Sequence, residues 1–315
     1  VSIRYLAAKV TSLLVTLAAV SVITFVILRI IPGDPAQIIL GADTPGDQLA
    51  ELQRELGTDR PLAVQYVTWA ASVARGEFGI SLRHKRPVIE LIAERLPVTL
   101  GLTWLAFLVA IVVGLPLGVH AARHRNRLPD YAALVFSQLG QAVPSFWLGI
   151  LMILAFALQL RWLPSGGFVP WSDSVWEALR HLVMPSVALG LVLAATIVRM
   201  ERSSVLEVLE EDFVRTARAK GLAERDVIYR HVLANALIPT VTIVGLQLGT
   251  LLGGAIIVEQ IFALPGLGRL VLFAVFNRDW PLIQGLVLFL AGLTILLNFL
   301  VDLSYAWLDP RIART

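Results

Sequence analysis

An all-α polytopic membrane protein with six transmembrane helices is what this chain encodes, and three features point to it: its apolar runs, the distribution of its basic residues, and the placement of its Gly and Pro. Hydrophobic residues make up 57% of the 315 positions and charged ones only 16%, against about 25% charged in an ordinary soluble protein. Such a surface does not stay in water. Six runs are free of charge or carry one only near an end: Val10 to Ile31, Val98 to Val119, Tyr131 to Leu160, Leu182 to Val198, Ala236 to Val258 and Trp280 to Val301. A helix rising about 1.5 Å per residue crosses hydrocarbon with about 20 residues, so each run is read as one span. The first ends in Ile31-Pro32-Gly33-Asp34-Pro35 without a small-x-small cleavage pattern and is expected to be a retained anchor.

With the N-terminus inside, the inner segments hold fourteen Lys and Arg, seven of them between Arg199 and Arg230, while the short outer loops hold four, Arg161, Arg180, Arg269 and Arg278. That asymmetry places both termini in the cytoplasm. Trp69, Trp162, Trp171, Trp176 and Trp280 fall at or near the outer boundary, where indole rings sit well.

Between the first two spans, Pro32 to Leu96 is punctuated as short helices. Thr44 can cap one whose apolar stripe is Leu49, Leu52 and Leu56 and which Gly57 stops. A second begins near Pro61 with Leu62, Tyr66, Trp69 and Val73 on one face, and both are expected to lie on the outer interface or cap the bundle. The run Arg83-His84-Lys85-Arg86 reads as a solvated or headgroup-facing basic patch, with a docking role as the alternative.

The segment Arg199 to Asn235 carries seven basic and seven acidic residues. Val205, Leu209, Phe213 and Ala217 recur every fourth position, acids lead and bases follow, and a Glu211 to Arg215 pair is expected. Gly221 ends that helix, and a short second one follows from about Glu224 with Val227, Ile228, His231 and Val232 on one side. The product is a helix, glycine turn, helix elbow at the cytoplasmic face. Pattern alone admits two readings of it, an amphipathic helix on anionic lipid or a seat for a partner.

No Gly-Lys-Ser/Thr phosphate loop is present, the five histidines show no His-Glu-x-x-His spacing, and Glu259 and Asp302 stand only near span ends. The chain is therefore not read as an enzyme, no metal or cofactor site is assigned to it, and a path former or receptor that borrows energy from elsewhere remains. A net charge of +3 and the absence of a basic stripe argue against nucleic acid. Without cysteine, the redox compartment is not indicated.

An ordered series of motifs then resembles one family nearly end to end: Pro32-Gly33-Asp34-Pro35, Pro144-Ser145-Phe146-Trp147, Arg215-Thr216-Ala217-Arg218-Ala219-Lys220-Gly221, His231 to Pro239, Pro265-Gly266-Leu267-Gly268-Arg269, Arg278-Asp279-Trp280-Pro281 and Leu308-Asp309-Pro310-Arg311. The chain is similar to the inner-membrane permease subunits of ATP-binding-cassette importers that work with a substrate-binding protein, in the dipeptide, oligopeptide and nickel branch. The general coupling pattern of such importers is Glu-Ala-Ala, three residues, Gly, then an Ile-x-Leu-Pro block. Here Arg215 and Thr216 take the first two positions, His231 stands for the Ile and Ala234 for the Pro, departures usual in the peptide branch.

What the resemblance implies is a type I importer permease fold in the cytoplasmic membrane, with a core over 98–309, an N-terminal span and extracytoplasmic segment over 1–97, a cytoplasmic tail over 310–315 and a coupling motif over about 203–235. It implies that Asp212, Arg215, Thr216, Ala217, Ala219, Lys220, Gly221 and Leu222 seat in a partner ATPase, and that Pro265, Gly266, Gly268 and Arg269 form an external gate or docking site for the binding protein. The implied partners are a second related permease in a heterodimer, two nucleotide-binding subunits that hold ATP and Mg, an extracytoplasmic substrate-binding protein and membrane lipid. Peptides are the implied substrate, with nickel or glutathione as alternatives in the same family and a self-contained channel or carrier as a more distant one.

A candidate translocation path rests on spacing. Gln138, Gln141 and Ser145 stand at i, i+3 and i+7 in the third span, and Thr240, Gln247 and Thr250 form a similar stripe in the fifth, where Gly245, Gly249, Gly253 and Gly254 allow close helix approach. Neutral amides and hydroxyls suit a peptide backbone, yet such groups also bind helices together. Both readings stand at this point.

Overall fold

The computed structural model describes residues 3–30, 40 and 45–308, and among them there are helices but no strands. In chain order these are α1 (Ile3–Ile30), α2 (Gly46–Leu56), α3 (Leu62–Ala74), α4 (Val88–Arg123), α5 (Leu128–Ala142), α6 (Ser145–Gln159), α7 (Val175–Leu209), α8 (Asp212–Ala219), α9 (Glu224–Ile261), α10 (Leu267–Phe276) and α11 (Trp280–Leu308). Helices α1, α4, α7, α9 and α11 are long and apolar enough to cross a membrane. The sixth span is a broken one. Helices α5 and α6 pass the same test only together and bend by 101°, because Pro144 withholds an amide hydrogen and pushes Val143 into extended backbone (φ −90°, ψ 119°). The 30-residue charge-free run is thus two helices at a steep angle.

The chain forms two compact units, Pro97–Arg269 with Leu297–Thr315, and Ser2–Leu96 with Leu270–Leu296. Leu270–Leu296 groups with the N-terminal segment in the second of these units.

In the N-terminal unit, Tyr66 and Trp69 of α3 pack on Phe25 of α1 with ring centroids 5.4 and 5.8 Å apart, and the Tyr66 hydroxyl meets Ser21 at 2.9 Å. Leu62 lines a groove with Phe25 and Tyr66 on that face and is itself exposed. Pro45 occupies the cap position of α2 and Gly57, at φ +66°, ends it; Thr44, Pro32-Gly33-Asp34-Pro35, the side chains of Leu52, Leu56 and Asp302, and residues 309–315 lie outside the described residues. The basic run is more than a solvated patch. Buried Asp279, which caps α11, accepts the Ser81 hydroxyl and the Leu82 and Arg83 amides (3.1 Å each), folding residues 80–87 into a tight hairpin, while Arg86 pairs with Glu90 and Glu94.

In the larger unit α7 is the axis. Two thirds of its apolar window is buried, against 11% for α1. A Cβ at Gly190 would stand 2.5 Å from the Ala106 carbonyl oxygen of α4, so only glycine permits this backbone approach. One polar link crosses α5 and α7: the Arg202 guanidinium forks onto Asp130, with Nη2 to Oδ2 at 2.9 Å, while the Asn126 amide donates to the same carboxylate. The Asp130 side chain is 2% exposed and that of Arg202 20%.

Removing one partner of a buried ion pair leaves the other charge without compensation, at about 3–5 kcal/mol. Asp130→Ala and Arg202→Ala should each lower thermal stability in detergent by that order. The double variant should cost little more than either single, and additive losses in the double-mutant cycle would contradict the coupling.

Candidate functional site

Helix α7 carries its polar end beyond the charge-free run and stops at Leu209, and Glu210 and Glu211 turn the chain. Acids suit the start of a helix and not its end. The cluster Glu210, Glu211, Asp212 accordingly marks a boundary, so the expected continuous stripe from Val205 to Ala217 spans two helices. Its phase shifts at the break. Phe213 is 43% exposed, and Val214 takes the buried position beside Ala217. Arg215 pairs with Asp212 at 3.3 Å rather than with Glu211.

Val214 and Ala217 seat α8 on a cluster of Val119 and Ala122 of α4, Val205 of α7, and Val227, Ile228, Val232 and Ala236 of α9. The ends of three spans thus meet under one short helix. Its termination follows from backbone chemistry: the Gly221 amide donates to Arg218 O (2.9 Å) and the Leu222 amide to Ala217 O (3.4 Å), with Gly221 at φ +76°. This is the Schellman pattern, which requires a left-handed residue after the cap. A Cβ at Gly221 would meet nothing within 4 Å, so the constraint there is conformational. Across the turn, Arg218 grips Glu224 through two bonds of 2.8 and 3.2 Å, and the contact holds the guanidinium above its ordinary pKa. Arg125 of the α4–α5 loop pairs with Glu210 at 3.0 Å.

Of the coupling residues named from the sequence, Asp212, Arg215, Thr216, Ala219, Lys220, Gly221 and Leu222 are exposed, whereas Ala217 faces inward as an anchor. The Thr216 hydroxyl is spent on Asp212 O (2.9 Å). Phe213 falls in the four-residue stripe of Val205, Leu209 and Ala217, yet with Leu222 it supplies the exposed apolar surface of the elbow. The second arm is no short helix. It begins at Glu224 as expected and continues through a π-helical stretch, Val227–Val232, into the span that ends at Ile261. His231 is half-buried at its edge.

The Pro265 to Arg269 loop folds back on a carboxylate the sequence placed only near a span end. Glu259 is fully buried and accepts the Thr99 hydroxyl (2.6 Å) and the Arg269 amide (3.1 Å), while Thr99 accepts the Leu267 amide (2.8 Å). A Cβ at Gly266 would collide with that carboxylate, and one at Gly268 would stand 2.5 Å from Ile256 Cα. Both glycines are buried packing positions; Pro265 is half-buried, and Arg269 is exposed with its side chain on Ala263 O (2.9 Å).

The two polar stripes do not survive intact. The bend puts Ser145 on a different helix from Gln138 and Gln141. Gln138 and Gln141 are exposed, and the Gln141 amide donates to Ser137 O at 3.0 Å. Thr240 is buried beside the equally buried Glu201, whose Cβ would lie 2.7 Å from a Cβ at Gly118. Gln247 is half-buried, and Thr250 is exposed with its hydroxyl on Gln247 O (2.7 Å). Of the span-five glycines, Gly254 approaches Leu189 of α7, while Gly253 faces open space.

Comparison with known proteins fits this architecture. Residues 114–314 match the model of the binding-protein-dependent transport system inner membrane component, and residues 2–103 match that of its N-terminal region. A probable peptide ABC transporter permease of Sinorhizobium fredii is 40% identical over 98% of both chains. A dipeptide transport system permease of Alkalihalophilus pseudofirmus is 39% identical over 98% of this chain and 99% of its own, and a glutathione transport system permease of Salmonella choleraesuis is 41% identical with the same coverage. Among solved structures, an inward-facing conformation of the MetNI methionine ABC transporter aligns with a TM-score of 0.57 at 20% identity, covering 70% of this chain and 96% of that one, a likeness of fold. On these matches the chain belongs to the binding-protein-dependent transport system inner membrane component family.

Proposed function

We propose that this chain is one of two related permease subunits that together form a path for peptides across the cytoplasmic membrane. Peptide arrives from an external binding protein, and the work is done by two partner ATPases that hold ATP and Mg. The observation that carries this reading is α8: its apolar side is committed to the ends of α4, α7 and α9, so its free side can take a partner without disturbing the spans. A push on α8 is then a push on three spans. The Gly221 turn and the Arg218–Glu224 pair brace the elbow, so that displacement is transmitted instead of absorbed. Peptide as the cargo class is supported by the names of the full-length relatives, and the glutathione relative fits the same class because glutathione is a tripeptide. The path rests on Gln138 and Gln141 on α5 and Gln247 and Thr250 on α9, without Thr240, which is buried, and without Ser145, which the bend places on α6; the external gate rests on Pro265 and Arg269, with Gly266 and Gly268 as its packing positions.

Gly221→Val forces a β-branched residue into left-handed backbone at a cost of about 1 kcal/mol or more. Insertion and assembly of the spans should be normal, and stimulation of ATP hydrolysis by loaded binding protein should fall about fivefold to tenfold. Wild-type stimulation would refute the seat.

The exposed and buried sides of α8 should behave differently. Phe213→Ala should leave thermal stability unchanged and weaken ATPase association by about 1.5–3 kcal/mol, measured by copurification and titration. Val214→Asp should instead unfold the elbow, and equal loss of stability in both variants would contradict the assignment of faces.

For the path, Gln141→Leu and Gln247→Leu should lower peptide uptake while leaving assembly and basal ATP hydrolysis near wild type. Failure of both to assemble would make the amides structural. Orientation is checked with single cysteines, which have no background here because the chain has none: Ala223→Cys should label from the cytoplasm and Ser174→Cys from outside.

A further inference from the structure

The end of α6 and the start of α7 enclose a groove of about 360 Å³ lined by Leu158, Leu163, Ser165, Glu177, Arg161 and Arg180 among others. Its two arginines are placed in different ways. Arg180 is held, its Nη1 on both Glu177 oxygens (2.9 and 3.2 Å) and its Nη2 on Trp162 O (3.3 Å). Among the described residues, the Arg161 side chain has no hydrogen-bond or ion-pair partner.

Arg161 also stands where its backbone argues against it. It follows the last turn of α6 at φ +56°, and the Trp162 amide closes that turn on Phe156 O at 2.9 Å. The residue after a helix cap in this conformation is by default glycine, and a side chain there costs about 1 kcal/mol. The favourable interaction of a cation with a helix C-terminus is worth about 0.3–1 kcal/mol and does no more than offset that cost. The turn itself does not call for arginine.

Depth indicates what the free guanidinium meets. The charge-free run of the third span ends at Leu160 and that of the fourth begins at Leu182, so both arginines stand just outside the hydrocarbon at the same membrane face. Trp162 and Trp176 flank them, 63% and 69% exposed, and Leu158 is 58% exposed. Exposed indoles over apolar side chains mark the headgroup level. Two guanidinium groups and one carboxylate leave the groove with one uncompensated positive charge, and the planar fork of arginine matches phosphate oxygens.

We propose that this groove binds the phosphodiester of a monoanionic phospholipid headgroup, with Arg161 as its principal contact and Arg180 as a pre-oriented second donor. The acyl chains lie along Leu158 and the apolar end of α6. The anchor holds the turn that joins the broken span to α7, the axis of its unit.

The test uses the full chain in uncharged detergent, with thermal stability followed as short-chain phosphatidylglycerol is added. Wild type should be stabilised in a saturable way. Arg161→Gly suits the backbone and should fold with at least wild-type stability in the absence of lipid, yet its affinity for phosphatidylglycerol should fall about tenfold, the loss of one charge-assisted contact. Arg161→Gln should lose affinity to the same extent. Inorganic phosphate at equal concentration should give no shift, and neither should a tripeptide with a free carboxylate. Wild-type lipid affinity in both variants would overturn the proposal. So would a shift by inorganic phosphate equal to that of the lipid, or competitive displacement of the lipid by the tripeptide, which would make the groove a site for free anions or for cargo.

Discussion

Helix α7 can run through the middle of its unit only because its neighbours reach it through residues without bulk. Gly190 lets the α4 backbone come within contact of its own, Gly114 and Gly118 of α4 repeat the approach along the same pair, and Gly140 of α5 admits Ala195 of α7. Dispersion and close contact, not the hydrophobic effect, hold helices together in lipid. With α7 fixed against α4 and α9, its lower end carries Val205 into the apolar seat and its turn at Glu210 fixes where α8 begins. Position of the elbow is thus a consequence of packing far inside the membrane.

Two further polar devices keep chain turns in place on that frame. Asp130 is tied at once to Arg202 of α7 and to the Asn126 amide of the α4–α5 turn, and Arg125 from that turn reaches Glu210. At the opposite end of α9, Glu259 gathers Thr99 and the Arg269 amide. In both places a buried carboxyl group accepts hydrogen bonds from more than one residue, so its polar atoms are not left unsatisfied inside the packing. The loop at Pro265 to Arg269 and the elbow therefore rest on fixed supports, and what they present outward is a small set of exposed groups.

Much of this was legible in the sequence where the signal is local. Apolar length gave the spans, Gly57 and Gly221 gave helix ends, and the acid cluster at Glu210 to Asp212 sits at a real boundary. The failures share one cause. The period of four residues from Val205 through Phe213 crosses a break where two residues of turn shift its phase, and the spacing of seven from Gln138 to Ser145 crosses Pro144. Periodicity holds only inside one helix, and proline or an acid cluster is the warning that it has ended. The buried carboxylates Asp130, Glu201 and Glu259 were hidden for a different reason: each lies near the end of a charge-free run, where sequence alone cannot separate a solvated acid from one enclosed by neighbouring helices.

The central claim is that α8 and the start of α9, joined through the Gly221 turn, move as one rigid piece. Cysteines in place of Arg218 and Glu224, introduced into a chain that has no others, can be joined by a short, reducible bifunctional thiol reagent across the turn in the assembled transporter. The account predicts wild-type ATP-driven uptake with the tether in place, since the two positions keep their separation through the cycle. Uptake that is lost on tethering and recovered on reduction would show that the elbow must flex, and would contradict it.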